Sequence, residues 1–371
     1  MSKAASVSII AEAGVNHNGD TGMALRLVEE AARAGADVVK FQTFRADRLL
    51  TRQASKAGYQ MQTTDAEESQ FEMIRRLELS EEAHWRIFAR CRELGIEFLS
   101  TPFDTASLHF LVNELGVGRI KIPSGEITNA PLLLAAARTG KPILLSTGMS
   151  SLGEVESALA VLAFGYLHPD EVPSRERFAL AYREAMGGMQ LTALVTLLHC
   201  TTDYPADPCS ANLAVLATLR NAFGLSVGYS DHTAGIAVAL GAVAVGATVI
   251  EKHFTLDRTL SGPDHRASLE PDELCALVVG ARMVADSLGS PVKVSQPGEC
   301  ANIPVARKSL VTLTPVRRGE AFTQDNLGVK RPGSGVSPMY YWDVIGTCAR
   351  RDYAADEQVD GFPGFSTSSK E

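Results

Sequence analysis

The sequence contains no apolar run long enough to cross a membrane. The stretch of small and apolar residues at 237–250 is shorter than the roughly 20 residues that a membrane-spanning helix needs. Because that stretch contains Gly241 and Gly246, it predicts a buried helix, a glycine turn and a buried strand. The first apolar run is interrupted by Glu12, which does not fit a secretory leader. We therefore expect a cytoplasmic protein with no membrane association.

Cysteine is sparse and unpatterned. The six cysteines form no CxxC pair and no tightly spaced framework, so we expect reduced thiols and not a disulfide scaffold. The chain also lacks a Walker loop and a G-x-G-x-x-G motif, so nucleotide binding by either device is not supported.

Positive charge is scarce except near the C-terminal end. The net charge is −8, yet residues 303–353 carry eight Lys or Arg against four Asp or Glu. A basic segment could bind nucleic acid, but this one lacks the aromatic and glycine pattern of an RNA-binding sheet and the spacing of a zinc finger. We expect it to dock on another domain or to face an anionic small substrate, and we expect no nucleic-acid partner.

What the sequence does contain is a repeated pattern in which eight short apolar runs each end in a small polar cluster. In chain order the clusters are AEAGVNHNGD (11–20), KFQTF (40–44), STPFD (100–104), KIPSGE (121–126), STGMS (146–150), LHCTTDYP (198–205), GYSDHT (228–233) and EKHFTLD (251–257). In an α/β barrel all eight strand ends converge on the face that carries the active site. The pattern predicts a (β/α)8 TIM barrel with one catalytic mouth.

The apolar runs are rich in Val, Ile and Leu and do not alternate strictly, as expected for strands buried on both faces. The predicted strands are 6–12, 36–42, 96–100, 119–122, 142–146, 193–199, 226–230 and 248–253. Helical stretches lie between them, and several end in a glycine that suits a left-handed cap. This alternation of strands and helices predicts a parallel sheet.

The chain is long enough for a barrel and a small second domain. We expect the following organisation: a barrel domain over 1–288, a linker over 289–304, a small domain of short strands over 305–360, and a flexible tail over 361–371.

Two segments exceed the regular strand–helix unit. Residues 43–70 follow strand two on the mouth side of the barrel. We predict either that they cover the substrate as a lid or that they form an ordered excursion from the barrel that does not contact the substrate. Residues 165–192 lie on the opposite face, and we expect them to form an extra helix with no part in catalysis.

Two histidines end neighbouring strands. His232 follows strand seven and His253 ends strand eight, so both imidazoles should lie on one side of the mouth. Two neutral histidines with carboxylate or water oxygens suit a divalent transition metal. The alternative is that each is a packed core histidine. His17 and His199 are weaker candidates.

Two lysines close strands two and four. Lys40 and Lys121 are expected to point inward with Thr101, Ser124 and Ser146 on the same face. Buried lysines need an anion, and lysines with hydroxyl and N–H donors bind phosphate or carboxylate groups. The alternative is that the two lysines only form ion pairs with Glu12 and Glu126.

Three carboxylates belong to the same face. Glu12, Glu126 and Asp264 lie at strand ends or in mouth loops, where a carboxylate can act as a general base or orient water. Asp231 is expected to orient the adjacent His232. Cys200 has no evident base beside it, so we do not expect it to act as a nucleophile.

Taken together, these motifs resemble the sialic acid synthase family, whose members make nine-carbon nonulosonic acids. The resemblance covers about residues 9–358 and is carried by the eight clusters above together with SGPDH, VARKSL and KRPGSG. It implies a TIM barrel followed by an antifreeze-like (SAF) domain. It also implies a domain-swapped homodimer in which the small domain covers the partner's mouth.

The resemblance implies a reaction in which phosphoenolpyruvate condenses with an N-acylated mannosamine-type sugar and phosphate is released. Catalytic roles fall to Glu12, Glu126, His232 and His253, with Glu126 preferred for handling water. The two histidines are implied to hold a divalent metal, manganese in the first place, with magnesium or cobalt as alternatives. The substrate-binding positions are Lys40, Gln42, Thr101, Lys121, Ser124, Ser146, Tyr204, Asp264 and Arg331.

The acceptor sugar is the least determined feature. Thr202 stands where some N-acetylneuraminate synthases have an amide, and the motifs look more like those of legionaminic acid synthases, which use a 2,4-diacetamido-6-deoxy mannose. We therefore favour N,N'-diacetyllegionaminate synthesis, with N-acetylneuraminate synthesis as the alternative. A metal aldolase and a non-catalytic sugar-binding protein are the remaining hypotheses.

Overall fold

The computed structural model describes residues 7–56, 58–65 and 67–361. The chain divides after Gly289 into two compact units. The tail predicted over 361–371 lies outside the described residues except for Gly361.

The first unit is built on a near-closed barrel of eight parallel strands. The strands are β1 Ser8–Gly14, β2 Val38–Thr43, β3 Glu97–Pro102, β4 Ile120–Ile122, β5 Ile143–Ser146, β6 Val195–Cys200, β7 Ser226–Asp231 and β8 Val249–His253. Hydrogen-bonded neighbours run in the order β3-β2-β1-β8-β7-β6-β5-β4. The (β/α)8 barrel prediction is confirmed, and every predicted strand overlaps an observed one with bounds that differ by at most two residues.

Helices alternate with these strands. In chain order they are α1 Thr21–Arg33, α2 Ala46–Leu49, α3 Gly58–Thr63, α4 Gln70–Arg76, α5 Glu81–Leu94, α6 Thr105–His109, α7 Ala130–Arg138, α8 Leu152–Leu167, α9 Arg175–Gly188, α10 Val215–Phe223, α11 Ala237–Ala244 and α12 Pro271–Leu288. No helix in the described part of the chain is both long and apolar enough to cross a membrane.

The predicted glycine caps are present. Gly95 ends α5 with φ of 71°, and its N–H bonds back to the last turn of the helix. Gly35 follows α1 with φ of 78°. Because a side chain at such a backbone angle is strained, glycine allows each helix to stop and the chain to turn directly into the next strand.

The two long segments have different structures. Residues 165–192 contain α9, which packs through Ala181 and Ala185, so the predicted extra helix is confirmed. The segment after β2 forms the short helices α2 to α4, and several of its side chains line the barrel mouth. Helix α6 continues into a π-helical turn at Phe110–Glu114, which the sequence pattern did not indicate.

The second unit has a small core of its own. It contains the short helices α13 Pro297–Cys300 and α14 Ile303–Ala306, the antiparallel strands β9 Ser309–Thr312 and β10 Leu327–Lys330, and helix α15 Tyr341–Val344. Leu310, Phe322, Leu327 and Tyr353 are buried together in its core. The stretch predicted as a plain linker therefore carries two helical turns.

Candidate active site

The barrel interior is organised in layers two residues apart. Its lowest described layer is an apolar cluster of one residue from each of six strands: Ile10, Val38, Leu99, Leu144, Leu198 and Val249. The residues directly next to them in the chain, such as Ile9 and Val39, point outward and pack against the surrounding helices. Because side chains alternate along a strand, the residue two positions after each apolar one points into the barrel one layer higher.

That second layer is polar, and it forms the floor of a cavity of about 270 Å³ at the C-terminal ends of the strands. Its members, each two residues after a member of the apolar layer, are Glu12, Lys40, Thr101, Ser146, Cys200 and Glu251, joined by Lys121 and Ser230 from the two remaining strands. Gln42, Thr202, His232 and His253 form the layer above, and Tyr204, Ser124 and Asp264 complete the polar lining.

The floor holds two lysines and two carboxylates at close range. Lys40 Nζ lies 2.7 Å from Glu12 Oε2 and 3.6 Å from Glu251 Oε2. Lys121 Nζ lies 3.5 Å from Glu251 Oε1. All four side chains are less than 5% exposed, so Glu251 bridges two cations in a setting with little water. Glu12 thus pairs with Lys40 as the ion-pair alternative predicts, whereas the second carboxylate beside the two lysines is Glu251 and not Glu126.

The two carboxylates differ in charge because their neighbours differ. Burial raises the pKa of Glu12 to about 7, against the lowering effect of Lys40. Burial also acts on Glu251, but Lys121, Lys40 and the Ser230 hydroxyl together lower the pKa of Glu251 to about 2. Burial lowers the pKa of Lys121, whereas Glu12 and Glu251 outweigh burial and raise the pKa of Lys40. The floor therefore combines a fixed negative charge with a carboxyl group that can exchange a proton near neutral pH.

Hydroxyl and N–H donors surround Lys121. Its ammonium group donates to Ser146 Oγ at 2.8 Å. Ser124 Oγ accepts from the Gly148 N–H at 3.0 Å and lies 3.1 Å from Cys200 Sγ. A Cβ at Gly148 would come within 2.8 Å of both Ser124 Oγ and Cys200 Sγ, so only glycine leaves room for this cluster. The arrangement suits a phosphate or carboxylate group.

The two histidines predicted to pair do lie side by side. Their ring centroids are 5.5 Å apart, and the Tyr204 ring lies against both. Burial lowers the pKa of His232 to about 4 and that of His253 well below its usual value, so both rings are neutral. His232 Nδ1 donates to the Thr201 carbonyl at 2.6 Å, which leaves the Nε2 lone pair unprotonated. A neutral imidazole held in this way is the form that binds metals.

The donor set fits an exchangeable divalent metal. His253 Nδ1 is buried without a hydrogen-bond partner and lies 4.0 Å from Asp264 Oδ2. Within the described part of the chain, no group of three His, Cys, Asp or Glu side chains could hold an ion by itself. His232 and His253 are therefore the side chains that could bind a divalent metal, and such a metal would need further oxygen ligands from water or substrate.

Asp231 does not orient His232, and that expectation is wrong. Consecutive strand residues point to opposite faces, so Asp231 faces away from the cavity and accepts from Lys252 Nζ at 2.8 Å and from the Thr233 N–H at 2.9 Å. Lys252 and Asp231 have fully buried side chains. This pair joins β7 to β8 directly behind the two histidines and fixes their strands in register.

Several predicted residues do not line the cavity. Glu126 lies in the 3₁₀ turn after β4, where its carboxylate accepts from Asn129 Nδ2 at 2.6 Å. His17 accepts from the Gly19 N–H, and His199 Nε2 bonds to the Ala211 carbonyl, so both weaker histidine candidates have structural partners instead. Arg331 belongs to the second unit, where it follows β10. Every other predicted site residue lines the cavity.

Sequence reasoning missed Glu251. The signal was present, because His253 is predicted to point into the barrel and the residue two positions before it must then do the same. Ser230, which donates to Glu251 Oε1 at 2.8 Å, was missed for the same reason, since it stands two positions before His232.

Comparison with known families matches both units. Residues 27–293 match the NeuB family model, and residues 307–361 match the SAF domain model. The first match covers most of the barrel unit, and the second covers the part of the second unit that contains its two antiparallel strands.

Individual relatives agree with the family match. The chain is 47% identical to the N,N'-diacetyllegionaminic acid synthase of Campylobacter jejuni over 95% of this chain and 98% of that protein. It is 43% identical to the enzyme of the same name from Legionella pneumophila over 91% of this chain and 89% of that protein. A crystal structure of N-acetylneuraminic acid synthetase from Leptospira borgpetersenii is similar with a TM-score of 0.66 at 34% identity, covering 80% of this chain and 90% of that one.

Proposed function

Because the chain belongs to the NeuB family, we propose that it is a nonulosonic acid synthase that condenses phosphoenolpyruvate with 2,4-diacetamido-2,4,6-trideoxymannose to give N,N'-diacetyllegionaminate and phosphate. The observation that carries the proposal is the buried polar floor, in which two lysines and a ring of hydroxyl groups lie beneath a pair of neutral histidines. The similarity to two synthases of this name supports the choice of product.

We assign the phosphoenolpyruvate site to the floor. Lys40, Lys121 and the hydroxyls of Thr101, Ser124 and Ser146 all face the cavity, and together they offer charge and directional donors to the phosphate and carboxylate groups. A trianionic substrate needs fixed cations in a site this dry, since a buried anion without partners is strongly disfavoured.

We assign a divalent metal, manganese in the first place, to His232 and His253. Such a metal, when bound, polarises a sugar aldehyde by withdrawing electron density from its oxygen. The protein's own contribution here is positional. The Thr201 carbonyl fixes the His232 tautomer, and the buried Asp231–Lys252 pair holds the two strands behind the rings.

The reaction that we propose forms one C–C bond and one C–O bond from water, and breaks the C–O bond to the phosphate. The enol carbon of phosphoenolpyruvate attacks the aldehyde carbon, and the aldehyde oxygen takes up a proton to become a hydroxyl group. A water molecule adds to the resulting oxocarbenium carbon and loses one proton, which balances the proton taken up, and its second proton leaves with the phosphate. Cleavage of the bond between that carbon and the bridging oxygen releases phosphate and leaves the α-keto acid. We assign the proton transfer to Glu12, because its carboxyl group lies in the cavity beside Lys40 whereas Glu126 bonds to Asn129 outside it.

The test of this proposal is a comparison of acceptor sugars. With manganese present, the specificity constant kcat/KM should be at least about tenfold higher for 2,4-diacetamido-2,4,6-trideoxymannose than for N-acetylmannosamine, because one pocket contact can discriminate by that factor. A higher value for N-acetylmannosamine would instead assign the protein to N-acetylneuraminate synthesis.

We further propose that the protein is a homodimer in which Arg331 of one chain serves the sugar site of the other. The excess of Lys and Arg over residues 303–353 suits a surface that covers an anionic site. Arg331→Ala should then raise the KM for the sugar about tenfold or more, because the loss of a hydrogen bond to a charged group weakens binding by at least that factor. The KM for phosphoenolpyruvate should change little. Arg350→Ala in the same unit is the control. A monomer by light scattering, or an effect confined to phosphoenolpyruvate, would contradict this assignment.

We place the protein in the cytoplasm. All six cysteines are free thiols in the structure, and Cys200 lines the cavity, which suits a reducing compartment.

A further inference from the structure

The cavity has one side that the proposed chemistry does not use. Around the ends of β1, β2 and β3, five apolar side chains and Gln60 line it, and we call the apolar ones, Val15, Phe44, Leu49, Ile74 and Phe103, the apolar wall. Val15, Phe44 and Phe103 follow β1, β2 and β3, whereas Leu49 ends α2 and Ile74 lies in α4. The wall is therefore built where the long excursion after β2 returns across the barrel mouth.

The wall is held firmly from behind. Phe44 and Phe103 pack edge to face with ring centroids 6.0 Å apart. Met73 and Leu77 are buried beneath the wall in the same apolar cluster, and Leu49 and Ile74 pack against that cluster while each keeps part of its surface exposed. The face turned to the cavity is thus a prearranged apolar surface.

Polar contacts fix the two short helices that carry Leu49 and Ile74. The Glu78 carboxylate accepts from the Ala46 N–H at 2.7 Å and pairs with Arg45 at 3.1 Å, which ties the start of α2 to the end of α4. A capping box of Ser69 and Glu72 begins α4. Short helices are not stable alone, so these contacts are what keep the wall in place.

No positive charge accompanies the wall. Among the described residues that line the cavity, the only cations are Lys40 and Lys121, and both lie on the floor, which the proposed function assigns to phosphoenolpyruvate. A phosphate ester pressed against Leu49 and Ile74 would lose its hydration without gaining a counter-charge. A methyl group in the same place would gain free energy from leaving water.

From this geometry we infer that the apolar wall determines which acceptor the enzyme uses, through contact of Leu49 and Ile74 with the methyl groups at the distal end of an uncharged, deoxygenated and N-acylated sugar. The inference rests on the proposed function and adds the residues that set its specificity. It assigns the far end of the sugar to α2 and α4 and the aldehyde end to the side of the cavity that carries the histidines.

The test compares Leu49→Ala and Ile74→Ala with the unaltered enzyme for two acceptors, 2,4-diacetamido-2,4,6-trideoxymannose and N-acetylmannosamine. The ratio of their kcat/KM values should fall about tenfold in each variant, since both acceptors share the aldehyde end but only the first places a deoxygenated carbon against the wall. A general loss of folded protein lowers both values equally and leaves the ratio unchanged, so the ratio reports the contact itself. If either alanine variant fails to fold, Leu49→Val and Ile74→Val replace it with a smaller expected change in the same direction.

Leu50→Ala is the matched control, because Leu50 is the next residue in the chain, is also half-buried and does not line the cavity. Leu50→Ala should leave the ratio of the two kcat/KM values within about twofold of that of the unaltered enzyme. For the unaltered enzyme, kcat/KM for N-acetylmannosamine 6-phosphate should be at least about 100-fold lower than kcat/KM for 2,4-diacetamido-2,4,6-trideoxymannose. An unchanged ratio in both wall variants would overturn the inference while the synthase activity stands. Absence of phosphate release with every acceptor in the unaltered enzyme would overturn the proposed function itself.

Discussion

Replacing His253 with alanine is expected to lower the rate of phosphate release by at least about a thousandfold, because polarisation of a carbonyl by a metal is worth several kcal/mol of transition-state stabilisation and each 1.36 kcal/mol is a factor of ten. His253 has a buried Nδ1 without a hydrogen-bond partner, and the centroid of its ring lies 5.5 Å from that of the His232 ring. With only two imidazoles available, loss of one leaves too few protein ligands to hold an ion.

This prediction has a readout that does not depend on turnover. Titration calorimetry with manganese alone should show binding in the unaltered protein and no measurable binding in His253→Ala or His232→Ala. His168→Ala is the control, since His168 lies on the surface, where it pairs with Glu171 and Glu184. Metal binding and activity retained in both cavity variants, with an unchanged melting temperature, would contradict the metal assignment.

Replacing Glu251 with glutamine should lower kcat/KM for phosphoenolpyruvate by about 100-fold or more. Glu251 is the carboxylate that faces Lys121, while Glu12 is committed to Lys40 at 2.7 Å. Without the charge on Glu251, Lys121 becomes a buried cation with no carboxylate partner, which costs about 3–5 kcal/mol. We expect Lys121 to leave its position beside Ser146, so the phosphate site loses one of its two fixed cations.

A double substitution separates the loss of stability from the loss of function. Glu251→Gln alone should lower the melting temperature, whereas Glu251→Gln combined with Lys121→Met should recover much of that loss, because no unpaired charge remains in the floor. The double variant should stay inactive, since it lacks the cation. Glu251→Gln with kcat/KM within threefold of the unaltered enzyme, or a double variant less stable than the single one, would contradict the account of the floor.

The barrel could be predicted because its signals are local and repeat. Each of the eight strands is a short Val-, Ile- or Leu-rich run, and glycines such as Gly35 and Gly95 stop the helices with positive φ. Strand-end clusters then indicate the position of the site, since a parallel barrel brings all those ends to one face. Lys40, Lys121, His232 and His253 were found in this way.

The pairing of side chains across the barrel could not be predicted as easily. Adjacency in sequence favours an interaction between Asp231 and His232, yet the alternation of side chains along β7 points Asp231 towards Lys252 on the outer face of the barrel sheet. Glu251 was overlooked although the same alternation places it beneath His253. His232 and His253 point into the barrel, so residues two positions before them must also point inward and the residues directly before them must point outward. Applying this rule predicts both the inward position of Glu251 and the outward position of Asp231.

The apolar wall depends on contacts that a single sequence does not display. Helices α2 and α4 have four and seven residues, too few to be stable without the Glu78 contacts and the buried Met73. The sequence predicted that residues 43–70 lie on the mouth side, and Phe44, Leu49 and Gln60 from this segment do line the cavity. Its division into short helices with one apolar face follows from packing against Phe44 and Phe103.

The most direct test of the account is a mass balance with phosphoenolpyruvate labelled with ¹⁸O in its bridging oxygen. With manganese and 2,4-diacetamido-2,4,6-trideoxymannose, the enzyme should release one phosphate for each nonulosonic acid formed, the label should be found in the phosphate, and no phosphate should be released without the sugar. Label retained in the organic product would contradict the proposed cleavage of the C–O bond. Phosphate released in the absence of an acceptor, or pyruvate formed from a nonulosonic acid without phosphate, would contradict the proposal that this barrel is a phosphoenolpyruvate-dependent synthase.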